Sequence, residues 1–183
     1  MRKQKISIIG YSGFIGTYLC KFFNKEKFIV KKINLRNRKV SKLPNNFLEK
    51  ILQSDVIVNA AASLNPKTKD DYYLNEFFPN DLSRFNKKYK KKIIHLSTIN
   101  VLIKDRLDKY SLSKKKSELN LKKNKKNLFI LRLPLIIHTF NGKIQNKGNL
   151  TYIYNYFEKV KLPIYPMIYP GHIYLPLELS LLA

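Results

Sequence analysis

The chain alternates short apolar runs with longer segments whose apolar residues recur every three or four positions. The short runs are rich in Ile and Val and predict buried β-strands, whereas the longer segments predict amphipathic helices. The predicted strands are 6–9, 28–35, 55–62, 92–98 and 127–137, with room for a short extra strand at 39–43. The predicted helices are 17–24, 45–52, 70–89, with a bend or restart at Pro79, and 109–119. This alternation predicts an α/β fold, a Rossmann-type doubly wound parallel sheet.

The connection between the first strand and the first helix is rich in glycine. Residues 6–16 read Ile-Ser-Ile-Ile-Gly-Tyr-Ser-Gly-Phe-Ile-Gly. Glycines permit a tight turn, a close approach of backbone to a pyrophosphate and close packing of helix on strand, and a helix N-terminus attracts phosphate. An ordinary glycine turn is the alternative. The residues predicted to bind a dinucleotide here are Gly10, Ser12, Gly13, Phe14, Ile15 and Gly16.

The end of the second strand indicates which dinucleotide is bound. An acidic residue about 20 positions beyond the glycines would bind the ribose 2′-hydroxyl of NAD. The chain carries Arg36 and Arg38 there, and residues 34–39 contain no acid. Guanidinium groups suit a 2′-phosphate. The sequence therefore favours NADP(H) over NAD(H).

A hydroxyl, a phenol and an ammonium group follow one another later in the chain. Thr98 ends the strand 92–98, and Tyr110 and Lys114 are four residues apart, on one face of a helix. A phenol with a pKa of about 10 is a weak acid–base catalyst at neutral pH, and a nearby ammonium would lower that pKa. We therefore predict that Thr98, Tyr110 and Lys114 are catalytic.

The composition narrows the possible partners. The net charge of +24 comes mostly from lysines spread along the chain, without zinc-finger spacing or an arginine-rich segment, so we expect a small anionic substrate and no nucleic acid. A lone cysteine, Cys20, excludes a disulfide framework, fits a reducing cytoplasm and is expected to pack in the core. No apolar stretch reaches the roughly 18 residues of a membrane span. The three scattered histidines predict no metal site, and His95 is expected to be buried with its partners satisfied.

Taken in order, these motifs resemble the extended short-chain dehydrogenases/reductases, the NAD-dependent epimerase/dehydratase family. The glycine spacing at 10, 13 and 16 is typical of that branch, and five further segments are similar to it. They are 56–62, 74–79, 94–98, 110–114 and 131–134. The resemblance covers residues 5–138. The Ser97-Thr98 pair and the helix with Asn75 are most similar to the dTDP-4-dehydrorhamnose reductase group.

The resemblance implies hydride transfer to or from a carbon of a nucleotide-linked sugar. Tyr110 would pass the proton, Lys114 would hold the cofactor ribose and lower the tyrosine pKa, and Thr98 would orient the substrate oxygen. Ile99 and Asn100 stand where dehydratases carry an Asp-Glu pair, so a reductase or an epimerase is expected. The resemblance also implies cofactor contacts from Asn59, Ala60, Ala61, Asn75 and Pro134.

Two departures from the family affect the substrate side of the pocket. The loop between Thr98 and Tyr110 is short, and the segment after His138 is much shorter than the usual substrate domain. We therefore expect a Rossmann domain at 1–138 and a reduced, apparently truncated substrate-binding segment at 139–183. A cofactor-binding but catalytically weak regulatory protein or subunit, and a basic interaction protein, remain as alternatives. The sequence leaves a homodimer open.

Overall fold

The computed structural model describes residues 3–35, 45–122, 127–134, 136–137, 139–140, 143–144 and 177–178. The chain divides into two compact units, Met1–Arg132 and Leu133–Ala183.

The first unit is built on a five-stranded sheet. Its strands are β1 Lys5–Ile9, β2 Ile29–Ile33, β3 Val56–Asn59, β4 Lys92–Thr98 and β5 Leu128–Leu133. They lie in the order β2-β1-β3-β4-β5, and β1 pairs in parallel with both β2 and β3, as β3 does with β4. This arrangement confirms the predicted Rossmann-type sheet. Since β2 and β3 flank β1, the winding reverses at β1, and doubly wound folds bind ligands beyond the carboxyl end of such a strand.

Five α-helices flank this sheet in the described part of the chain. They are α1 Phe14–Lys25, α2 Asn45–Leu52, α3 Lys69–Tyr72, α4 Phe78–Tyr89 and α5 Lys109–Leu121. A π-helical segment, Tyr73–Phe77, joins α3 to α4, and a 3-10 turn, Ile99–Leu102, follows β4. Pro79 lies in the first turn of α4, where its missing N–H is tolerated, so the predicted restart at this proline is confirmed.

The core forms two layers because successive strand residues point to opposite faces of the sheet. On one face, Ile9 and Ile93 pack with residues of α2 and α4, such as Phe78. On the other face, Ile8 and Leu19 pack with further residues of β1, β3 and α1. Cys20 belongs to this second cluster and is buried, which confirms its predicted packing role.

The predicted strand 127–137 is wrong in its extent. β5 ends at Leu133, and Pro134 follows it without strand pairing, because proline cannot donate to a ladder. In the second unit, β6 Ile136–Ile137 pairs in parallel with β9 Leu177–Glu178. A short antiparallel pair joins β7 Thr139–Phe140 to β8 Lys143–Ile144.

Candidate active site

The glycine segment forms a tight turn between β1 and α1. Gly10 has a φ of +80°, a conformation that a side chain would strain. A Cβ atom on Gly10 would lie 2.7 Å from the Ala61 nitrogen and 2.9 Å from the Ala60 carbonyl carbon. The backbone after β3 therefore packs directly against the turn, and only glycine fits at residue 10.

Gly16 and Gly13 have different surroundings. A Cβ on Gly16 would lie 2.2 Å from the carbonyl oxygen of Gly10, so Gly16 allows α1 to pack against the turn. A Cβ on Gly13 would meet only that same oxygen, at 3.3 Å. Gly13 is the N-cap of α1, no side chain caps this helix, and its first turn holds no acid. The turn thus presents glycine backbone at the positive end of a helix, as phosphate binding requires.

The end of β3 supplies a buried amide. Asn59 is fully buried, and its Oδ1 accepts a hydrogen bond from the Ala61 N–H at 3.2 Å. Its Nδ2 lies 3.0 Å from Nδ1 of His95, on the neighbouring strand β4. The Asn59 side chain therefore ties the loop beside the glycine turn to β4, while Ala61 contributes backbone.

Lys114 is buried against β4. Its Nζ donates to the Leu96 carbonyl oxygen at 2.7 Å and lies 3.1 Å from Nε2 of His95. The same Nε2 lies 3.1 Å from the Ser117 hydroxyl. Burial lowers the pKa of Lys114 to about 7, although the negative charge of Glu118 raises it. Lys114 is thus poised between its charged and uncharged forms near neutral pH.

Tyr110 lies in the first turn of α5, one turn before Lys114. Burial raises the pKa of its phenol to about 12, and the negative charge of Asp108 adds to this shift. The direction is opposite to the lowered pKa expected from the sequence. The Lys114 Nζ is directed at β4, where it bonds to Leu96 and lies against His95, and it is not among the groups that shift this pKa.

Thr98 ends β4 and is buried. Its Oγ1 accepts a hydrogen bond from the Asn100 N–H at 3.3 Å and so caps the 3-10 turn that follows. The hydroxyl is therefore held at the carboxyl end of the strand that carries His95 and Leu96, the partners of Lys114. The structure brings Lys114 and the end of β4 together.

Asn75 lies in the π-helical segment and is fully buried. Its Oδ1 accepts from the Ser63 N–H at 2.8 Å, and its Nδ2 donates to the Ser63 carbonyl and to the Ser113 hydroxyl. Ser113 in turn donates to the carbonyl oxygen of Tyr110 at 2.7 Å. The amide of Asn75 thereby connects the loop after β3 to the first turn of α5.

A buried carboxylate anchors the other end of α5. Glu118 is 3% exposed, accepts from the Ser97 hydroxyl at 2.7 Å and forms a bidentate ion pair with Arg132 of β5. Burial raises the pKa of Glu118, but the hydrogen bonds from Arg132 and Ser97 outweigh it, so the net shift is downward. This pair fixes α5, and with it Tyr110, to the sheet.

Two of the predicted cofactor contacts, Arg36 and Arg38, lie outside the described residues, and so does the short extra strand predicted at 39–43. Pro134 is half-buried directly after β5, while Ser12 is exposed and Phe14 and Ile15 begin α1. Among the described residues, no group of histidine, cysteine, aspartate and glutamate could hold a metal ion. No helix in the described part of the chain is long and apolar enough to cross a membrane.

The structure also adds residues that sequence reasoning missed. They are three residues of α5 and one of β5 that hold the site together: Ser113, Ser117, Glu118 and Arg132. The sequence indicates them only weakly, because serine and charged residues usually face solvent. His95 was expected to be buried and satisfied, which its 1% exposure confirms. Its contact with Lys114 was not foreseen, since it depends on how α5 packs on β4.

No protein-family model matches the chain, and no curated protein matches it by sequence. Solved structures do match. One is the dTDP-4-dehydrorhamnose reductase (rfbD) from Bacillus anthracis str. Ames in complex with NADP, with a TM-score of 0.66 and 15% identity over 87% of this chain. Another is the enzyme WbmG from Bordetella bronchiseptica in complex with NAD and UDP, with a TM-score of 0.66 and 16% identity over 87% of this chain. A third is the dTDP-4-dehydrorhamnose reductase from Yersinia enterocolitica, with a TM-score of 0.61 and 18% identity over 86% of this chain.

These matches show the fold. The chain has the Rossmann-type architecture of these enzymes, in agreement with the resemblance noted in its sequence. It covers 61% of each of the three matched chains, so it spans about three fifths of their length.

Proposed function

We propose that this chain is an NAD(P)-dependent reductase, or an epimerase, that acts on a nucleotide-linked sugar, with Tyr110 as the proton donor and acceptor. The observation that carries the proposal is the placement of α5. This helix holds Tyr110 in its first turn and presses Lys114 against the Leu96 carbonyl, two residues before Thr98. The names of the structural neighbours, which include reductases and complexes with NADP, NAD and UDP, support the same class of activity.

The residues around the glycine turn fit a dinucleotide. Gly13 at the uncapped N-terminus of α1 leaves room for a diphosphate, and Gly10 leaves room for the close-packed backbone of Ala61. Arg36 would bind a 2′-phosphate, and Lys114 would bind the ribose next to the nicotinamide. When bound, the reduced nicotinamide supplies a hydride.

The reaction is written as reduction of a sugar ketone. A hydride adds to the carbonyl carbon, and the proton of the Tyr110 hydroxyl passes to the carbonyl oxygen, which leaves an alcohol and the Tyr110 phenolate. Thr98 donates a hydrogen bond to the same oxygen and orients it. Tyr110 regains its proton from solvent, so one hydride and one proton are consumed for each alcohol formed.

Tyr110→Phe tests this role. We expect the wild-type chain to consume NADPH in the presence of a nucleotide-linked keto sugar, and the variant to lose at least about 100-fold in rate, because the proton donor is gone. Tyr89→Phe, a matched change at the far end of α4, should keep the rate. Equal rates for wild type and Tyr110→Phe would remove the proposed mechanism. Binding of NADPH without any turnover would favour the catalytically weak alternative.

Arg36→Asp tests the cofactor preference. If Arg36 binds the 2′-phosphate, the variant should lose affinity for NADPH at least about tenfold, because a carboxylate repels phosphate, and should keep or improve its affinity for NADH. Arg84→Asp on the exposed side of α4 is the control for the change of charge. If the ratio of the affinities for NADPH and NADH is unchanged in Arg36→Asp, Arg36 does not bind the 2′-phosphate.

A further inference from the structure

The side chains of Asn59, His95 and Lys114 form one buried chain of polar contacts from the end of β3 to α5. Asn59, His95 and Lys114 are all no more than 1% exposed. Consecutive members lie 3.0 Å and 3.1 Å apart, from Nδ2 of Asn59 to Nδ1 of His95 and from Nε2 of His95 to Nζ of Lys114. Since water does not reach these groups, each donor must face an acceptor.

A backbone group fixes the direction of hydrogen bonding in this chain. The Ala61 N–H must meet an acceptor, so the atom of Asn59 that faces it is Oδ1. The amide nitrogen of Asn59 then faces His95 and donates to its Nδ1. A neutral imidazole that accepts at Nδ1 carries its proton on Nε2. The tautomer of His95 therefore follows from a main-chain contact two residues beyond Asn59.

This tautomer determines what can stand opposite Nε2. An ammonium on Lys114 offers only donors, and it would meet the N–H of His95 at 3.1 Å. An uncharged amine has a lone pair that can accept from Nε2–H, while one of its own hydrogens bonds to the Leu96 carbonyl. The Ser117 hydroxyl is a second acceptor for the same N–H.

We propose that Asn59 and His95 together hold Lys114 as the uncharged amine, which makes His95 a positioning residue for the Tyr110–Lys114 pair. The downward pKa shifts of Lys114 and His95, both caused first by burial, agree with this arrangement. That this arrangement serves proton transfer by Tyr110 rests on the proposed function, whereas the tautomer of His95 does not.

The charges around Lys114 do not reverse this preference. Glu118, one turn further along α5, raises the lysine pKa, but its carboxylate is already engaged by Arg132 of β5. The π-helical segment carries two titratable groups, Glu76, which is paired with Lys116, and the Tyr73 phenol. In α4, Asp81 is bonded to Tyr73 and lies near Arg84. The 3-10 turn after β4 contains no titratable side chain.

Charging Lys114 would have a structural consequence. An ammonium needs an acceptor at Nε2, so His95 would have to move its proton to Nδ1, and the Asn59 amide would have to turn round to accept it. That rotation would replace the Ala61 N–H···Oδ1 bond by two opposed donors. Ala61 packs against Gly10, so the charge of Lys114 is linked by direct contacts to the backbone beside the glycine turn.

Nuclear magnetic resonance of the imidazole nitrogens tests the tautomer directly. The chain has three histidines, so His95 can be assigned in ¹⁵N-histidine-labelled protein by the signal that His95→Gln removes. We expect the Nε2–H tautomer between about pH 8 and pH 9, above the Lys114 pKa of about 7, and a change toward the Nδ1–H tautomer as Lys114 gains a proton at lower pH. An Nδ1–H tautomer at about pH 8 to 9, or an imidazolium that forms with the ordinary histidine pKa, would overturn the proposal. No dinucleotide is added, so a failure of the proposed function leaves this reading intact.

Asn59→Asp is the matched variant. A carboxylate can accept from both the Ala61 N–H and Nδ1–H, so we expect His95 to switch to the Nδ1–H tautomer and its Nε2 to become an acceptor for the Lys114 ammonium. If a folded Asn59→Asp protein keeps the Nε2–H tautomer, Asn59 does not set the state of His95 and the proposal fails.

A second measurement applies even if Asn59→Asp does not fold. An uncharged Lys114 binds fewer protons in the folded chain than in the unfolded chain, so the stability of the wild type relative to Lys114→Met should rise with pH. The rise begins near pH 7 and ends near the ordinary lysine pKa of about 10.4. The relative unfolding constant should fall by up to about tenfold per pH unit in this window. A flat difference would mean that Lys114 stays charged, which contradicts the proposal.

Discussion

The three glycines of the turn after β1 have different roles. Gly10 is required by its φ of +80° and by the backbone of Ala61, and Gly16 by the carbonyl oxygen of Gly10. Gly13 has an extended backbone that any residue can adopt, and little surrounds its Cβ position. The first two glycines therefore serve the fold, and the third is the one whose open space suits a ligand.

Gly16→Ala and Gly13→Ala should separate these roles. We expect Gly16→Ala to lose about 3 kcal/mol of unfolding free energy, because its Cβ would overlap backbone that cannot move away cheaply. Gly13→Ala should change stability by no more than about 1 kcal/mol and still weaken dinucleotide binding, because its methyl group occupies the space of the phosphate. Chemical denaturation and cofactor titration of both variants provide the measurement. Equal stability of the two variants would contradict the assignment of Gly16 to the fold and of Gly13 to ligand binding.

At the scale of elements, α5 is the helix on which the candidate site depends. Asp108 caps its first turn through the Ser111 N–H at 2.9 Å, and Glu118 joins its last turns to β4 and β5 through Ser97 and Arg132. The two ends of the helix are thus fixed independently. Tyr110 and Lys114 lie between these anchors.

Removal of Arg132 should test the second anchor. Arg132→Leu leaves the Glu118 carboxylate buried without its cation, so we expect a loss of about 3 kcal/mol near neutral pH. Arg84→Leu, which removes an exposed pair at 3.8 Å, should cost less than about 1 kcal/mol. Urea denaturation measures both. A loss in Arg132→Leu no larger than in Arg84→Leu would show that the pairing of Arg132 with the buried Glu118 carboxylate does not stabilise α5.

The pair of Glu118 and Arg132 also predicts how the stability of the fold depends on pH. The pKa of Glu118 is lowered in the folded chain, so its contribution is complete above the unfolded value of about 4.3 and is lost as the pH falls through the lower folded value. The stability difference between wild type and Arg132→Leu should therefore shrink in acid. A difference that stays constant down to the folded pKa would exclude this linkage.

The order and type of elements could be predicted from the sequence because apolar periodicity and the glycine turn are local signals. The helix Asn45–Leu52 and the strand Lys92–Thr98 have the predicted bounds. The predicted strand 127–137 extends beyond the end of β5 at Leu133 because the apolar run of the sequence continues past Pro134. The partners of Lys114 could not be predicted, since they depend on how far α5 packs into β4, and so the direction of the Tyr110 pKa shift was missed as well.

At the scale of the whole molecule, charge opposes compactness. The chain has 36 basic and 12 acidic residues, and a net charge of +24 repels itself more strongly in the folded state than in the expanded one. The same positive charge favours an anionic ligand such as a dinucleotide or a nucleotide-linked sugar. Both effects are screened by salt.

Salt should therefore stabilise the free chain. We expect the melting temperature to rise when sodium chloride is increased from about 10 mM to about 150 mM, where the Debye length falls from roughly 30 Å to 8 Å. Sodium sulfate at equal ionic strength is the control for ion-specific effects. A melting temperature that falls with added sodium chloride would mean that attractive ion pairs, and not net repulsion, dominate the electrostatics of the fold.

We propose that the turn at Gly10–Gly16 binds a nicotinamide adenine dinucleotide, and NADP(H) in preference to NAD(H). The most direct test of this claim is the melting temperature of the wild-type chain with NADPH and with NADH. A ligand that binds only the folded chain stabilises it, by about 2.7 kcal/mol at 100 times its dissociation constant. We predict a clear rise with NADPH and a smaller one with NADH at equal concentration. A melting temperature that neither dinucleotide changes would contradict the claim.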